Sequence, residues 1–86
     1  KPNAPEIIDT KGWVYYKMGN LLRAAELIGQ AQGADPASPV LNYHLGVVFA
    51  EMGRGEEARQ HLQDAVNSGQ NFKGIEKAGE LLRGMK

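Results

Sequence analysis

The chain has 86 residues, enough for one domain with a modest core, since a chain this short buries only about 60% of its unfolded surface. Ten basic residues balance ten acidic ones, which removes the broad electrostatic footprint of nucleic-acid binding and any general attraction to anionic membranes. With no cysteine, disulfides, thiolate chemistry and cysteine-held zinc or iron–sulfur centres are excluded, and no apolar run approaches the roughly 20 residues that span a bilayer.

An arm over residues 1–4 leads into the first predicted helix, which opens at Asn3-Ala4-Pro5-Glu6. Proline suits a first helical turn, where its missing N–H costs nothing, and Glu6 complements the positive end of the helix dipole. This helix runs to Met18 and stops at Gly19. Asn20 then caps a second helix over Leu21 to Gln32. Gly33 and Asp35-Pro36 break the chain, and Ser38-Pro39 repeats the cap-then-proline opening. The third helix runs to Met52 and ends at Gly53. The fourth begins near Gly55, with Glu56 and Glu57 in its first turn, and ends near Ser68-Gly69. A fifth is expected over about Phe72 to Arg83. No segment shows the strict alternation of a strand.

Sliding the sequence by 34 positions superposes Pro5 on Pro39, Gly12 on Gly46, Val14 on Val48, Met18-Gly19 on Met52-Gly53, Ala24 on Ala58 and Ala31 on Ala65. The matches fall on residues that fix turns and close helix contacts. Glycine on the first helix of each pair faces alanine on the second, so the two backbones can approach closely. Ile8, Tyr15, Ile28, Leu45, Phe49 and Leu62 are then expected to fill the seam at helical spacing.

Leu45-Gly46-x2-Phe49, Ala58-x3-Leu62 and Ala65, with Gly12-x2-Tyr15, Ala24-x3-Ile28, Ala31 and Asp35-Pro36 in the other unit, resemble the tetratricopeptide repeat, whose 34-residue pattern is W-x2-L-G-x2-Y, A-x3-F and P. The resemblance covers residues 5 to about 70. It implies an all-α, right-handed helical solenoid of two helix-turn-helix units, 5–36 and 37–70, with a C-terminal capping helix over 71–86. Lys11 stands where the pattern has leucine, Asn42 where it has tryptophan, and Gln70 where it has proline. Lys11 is expected to bury its stem and lift its amine to water. The stretches Asp9 to Tyr16 and Tyr43-His44-Leu45-Gly46 also resemble the last repeats of large bacterial proteins of this family, of the envelope or exopolysaccharide-export type. The missing initial methionine points to a processed product or a piece of a larger soluble chain, cytoplasmic or periplasmic, with further repeats before Lys1.

Little catalytic chemistry is legible. Glu57, His61 and Asp64 lie on one helical face, but one histidine with two flexible carboxylates makes a poor metal site, and they read as an exposed ion-pair stripe. His44 reads as a surface or interlayer residue. Gly53-Arg54-Gly55 lacks the residues of a phosphate loop, and the Gly29/Gly33 spacing reads as helix fraying. No nucleophile–base arrangement is present, so no enzyme activity, cofactor or metal is expected.

The informative feature is aromatic. Glu6, Asp9, Trp13, Tyr16 and Lys17 share one face of the first helix, and Val40, Tyr43, Val47, Ala50 and Glu51 share one face of the third. In the resembled family these faces line the concave groove that binds a peptide or helix of a protein partner. Tryptophan and tyrosine dominate binding hot spots, so the expected role is a non-catalytic protein-interaction module with no nucleic-acid partner and no membrane insertion. Stacking or self-association, including a homodimer, is the alternative. Family members that grip acidic chaperone tails line this groove with lysine, arginine and asparagine. Here only Lys17 could serve and Asp9 would stand unshielded, which argues against that role.

Overall fold

Proline, glycine and serine set the helix ends. A computed structural model describes residues 4–85 and shows five helices and no strand among them. These are α1 (Pro5–Lys17), α2 (Leu21–Ala34), α3 (Pro39–Glu51), α4 (Gly55–Val66) and α5 (Ile75–Gly84). Residues 1–3 of the expected arm lie outside the described residues. None of the described helices is long and apolar enough to cross a membrane.

The α1–α2 and α3–α4 turns are built alike. Gly19 at φ +85° and Gly53 at φ +81° occupy the left-handed region that a side chain disfavours. The following amides, of Asn20 and Arg54, donate back to the carbonyls of Tyr15 and Phe49 at 2.9 Å in both turns. This pairing closes orphan carbonyls at the helix end. Asn20 then caps α2 by accepting from the Arg23 amide, and Ser38 caps α3 by accepting from the Leu41 amide.

Three helix ends differ from expectation, the fourth helix ending at Val66 rather than near Ser68-Gly69. The second helix passes through Gly33 to Ala34, because a lone glycine costs a helix only about 1 kcal/mol. The break comes instead at Asp35, φ −142°, where the following Pro36 disfavours helical backbone. The fifth helix starts at Ile75 rather than near Phe72. Phe72 is buried in the preceding turn against the Tyr43 ring, with centroids 5.8 Å apart. Gly74 turns the chain at φ +107° with its backbone pressed on Tyr43.

Packing follows the chain order, α1 on α2, α2 on α3, α3 on α4 and α4 on α5, with α3 also touching α1 and α5. The close contacts are those of the glycine–alanine register. A Cβ on Gly12 would fall 2.6 Å from Ile28 Cγ1, and one on Gly46 would fall 2.7 Å from Leu62 Cγ. Ile28, Val48 and Leu62 are completely buried, each contributing about 1.5–3 kcal/mol of apolar burial. Two clusters result. Ala24, Ile28, Leu45 and Val48 join the helix pairs, while Leu62, Ala65, Phe72 and Ala78 seat α5. Ile8, Tyr15 and Phe49 are only half-buried, because Tyr15 sits toward the uncovered end of α1 and α2, and Phe49 is shared with the His61 ring and the Arg54 guanidinium.

Asn42 is fully satisfied although buried. Its Nδ2 donates to the carbonyls of Pro36 and Ser38, and its Oδ1 accepts from Gln32 Nε2 at 3.2 Å and from His61 Nδ1 at 2.9 Å. With both amide hydrogens used, Oδ1 requires a proton on Nδ1 of His61. His61 therefore turns inward, which corrects the reading of Glu57, His61 and Asp64 as one exposed stripe. No three His, Asp or Glu side chains converge as a ligand set among the described residues.

Burial holds the His61 pKa below its ordinary value, and Asp64 and Glu57 restore only part of the shift. The unfolded chain thus takes up a proton more readily than the native one, so stability falls as pH drops below about 6.5. Thermal midpoints between pH 7.5 and 5.5 should decline more steeply for the parent than for His61→Gln, which keeps a donor for Asn42 without titrating. Parallel curves would contradict this role.

Candidate functional site

The face that combines α1 and α3 opens as a cleft bounded at its far end by the Phe72–Gly74 turn and α5. Its centre is a cavity of about 570 Å³ lined by Trp13, Lys17, Val40, Tyr43, His44 and Lys73. The Trp13 indole is half-buried, stacked on His44 at a centroid distance of 4.0 Å and on Tyr16 at 4.4 Å. The Lys17 ammonium lies 5.9 Å from the Trp13 ring, a cation–π distance. Next to this lies a second cavity, of about 430 Å³, where Tyr16, Val47, Ala50 and Glu51 meet Lys77 and Leu81 of α5.

Hydrogen bonds across helices hold the floor. His44 Nδ1 sits 2.9 Å from both carboxylate oxygens of Asp9, tying α3 to α1. The Tyr16 hydroxyl donates to Glu51 Oε2 at 3.0 Å. Burial first, and then that bond, push the Tyr16 phenol above its usual pKa, so it remains a donor at neutral pH. The aromatic floor is thereby fixed before any ligand arrives, and preorganisation of this kind lowers the ordering cost of binding.

Of the ten residues singled out in the sequence, Trp13, Tyr16, Lys17, Val40, Tyr43, Val47, Ala50 and Glu51 come together around the two cavities. Tyr43 does double duty, lining the cleft and packing on Phe72 and Gly74. Val47 is buried and contributes floor rather than free surface. Glu6 lies further along α1, beside Asp35, Ser38 and Val40 in a third cavity of about 330 Å³.

Asp9 is buried rather than a rim charge, and it is not unshielded, because His44 covers both its oxygens. Lys17 is not the only cation at the cleft either, since the turn before α5 and α5 itself bring Lys73 and Lys77 to it. Both premises used against an acidic ligand are therefore corrected. Sequence reasoning also missed His44, whose signal is its place beside Tyr43 on the turn facing α1. Lys73 and Lys77 belong to the segment that follows the repeats, so no period points to them.

Comparison with known proteins agrees with this architecture. A family model of the tetratricopeptide repeat matches residues 15–79. No match was found among the curated proteins.

Proposed function

We propose that this chain, which belongs to the tetratricopeptide repeat family, binds a segment of a protein partner in the cleft formed by α1, α3 and α5. Repeats of this family are generally protein–protein interaction modules and typically non-catalytic. The observation that carries the reading is the preformed, half-exposed Tyr16–Trp13–His44 stack over an open cavity. Aromatic anchors in such positions supply most of the energy of protein recognition. In this reading residues 5–36 and 37–70 are the two repeat units, and the segment from 71 onward closes the cleft. A photocrosslinking residue at Ala50, on the cleft wall, should label a partner protein in a Trp13-dependent way. Equal labelling from Gln63, exposed on α4, would contradict the proposal.

A second reading, stacking, is favoured by one specific observation. Ile7 and Val14 are 45% and 53% exposed, while their register mates Leu41 and Val48 are 5% and 0% exposed beneath the preceding helix pair. Met18 and Leu22 extend the same uncovered end. If this face self-associates, the chain sediments as a concentration-dependent dimer that Val14→Glu disperses. A monomer up to high micromolar concentration would oppose stacking between copies.

A further inference from the structure

The cleft is not uniform in charge. At one end the cavity beside the start of α1 carries Glu6 and Asp35 at its surface. Away from it, Lys17 of α1 and Lys73 of the pre-α5 turn line the central cavity, and Lys77 of α5 lines the cavity next to that one. None of these three lysines is in an ion pair among the described residues. Glu51, which lines the same cavity as Lys77, already accepts from Tyr16. The Trp13–His44 stack lines the central cavity, and Val40 belongs to both that cavity and the acidic one. Asp9 does not blur the order, because it is buried under His44.

From this order we infer that the cleft selects an extended protein segment with a cationic side chain, then an aromatic or branched aliphatic anchor, then an anionic side chain. The inference rests on the binding role proposed for the cleft and adds the partner's chemistry and its orientation. Length supports an extended segment. Glu6 and Lys17 are eleven positions apart on α1, about 16 Å at the helical rise, which an extended chain covers in about five residues. The anchor would sit on Trp13 and Tyr43. The anionic group would meet the three lysines, and the cationic group would meet Glu6 and Asp35. Complementary charge of this kind mainly sets orientation and rejects wrong partners, while the anchor supplies affinity.

A phage library of random dodecapeptides, selected on the full chain, tests this directly. Enriched peptides should carry a basic and an acidic residue about five positions apart, with an aromatic or branched residue between. Their binding should be lost with Trp13→Ala. It should also weaken about tenfold with Lys73→Glu/Lys77→Glu, the scale expected for losing two exposed ion pairs. The double variant changes only exposed side chains, and its helical circular dichroism should match the parent's. Trp13-dependent peptides with no charge order, or ones indifferent to the lysine reversal, would overturn the inference while leaving the binding role standing. Enrichment that ignores Trp13, or no enrichment at all, would overturn both.

Discussion

Gly46→Leu should unfold the chain or lower its melting temperature by more than about 10 °C. A Cβ at this position would stand 2.7 Å and 2.8 Å from Leu62 Cγ and Cδ2, and 3.3 Å from the Ala58 carbonyl. Leu62 is completely buried against Ala65, Phe72 and Ala78, so it cannot swing aside. The clash would have to be relieved by separating α3 from α4, which carries α5 with it. Overpacking of a core costs about 1–3 kcal/mol, and the further carbons of leucine place this site at the upper end. In a domain this small each kcal/mol is worth about 4–8 °C. Gly29→Ala is the control, because its Cβ would meet nothing within 4 Å and removing a helical glycine stabilises by about 0.5–1 kcal/mol. A Gly46→Leu protein melting within a degree or two of the parent would refute the close pairing of α3 with α4.

Trp13→Ala should weaken partner binding more than folding. A fully buried tryptophan costs about 3–5 kcal/mol on truncation. Trp13 is half-exposed and lies at the side of the Ala24–Leu45 cluster rather than within it. A folding cost of about 1–2 kcal/mol is therefore expected. Binding should lose about 2 kcal/mol or more, the usual threshold of a hot spot, because the same substitution removes the anchor surface and unstacks His44. Denaturant melts and titration with a selected peptide give the two numbers separately. A folding loss larger than the binding loss would make Trp13 a core residue.

The helix pairs were legible because the residues that close turns and permit contact are few and recur. Gly19 and Gly53, Gly12 and Gly46, and Ala24 and Ala58 each mark a place where the backbone itself is constrained. The face carrying Trp13, Tyr16 and Tyr43 could be read for the same reason, from position on a helix. Contacts that join distant segments out of register could not. Asp9 meets His44, although its partner in the 34-residue register is Tyr43. The start of α5 depends on the Tyr43 ring receiving Phe72 and Gly74, which nothing near residue 72 announces. The inward turn of His61 follows from Asn42, where the family pattern has tryptophan. A buried amide demands partners, and that demand, applied to the facing helix, was the missed signal.

The proposed partner-binding surface is the α1–α3–α5 cleft and not the uncovered end of α1 and α2. Backbone amide shifts of isotope-labelled chain, followed by NMR during titration with a selected peptide, test it most directly. The largest changes should map to Trp13, Lys17, Tyr43, His44 and Lys73, with the Trp13 indole N–H among them. Changes concentrated instead at Ile7, Val14, Met18 and Leu22 would contradict it.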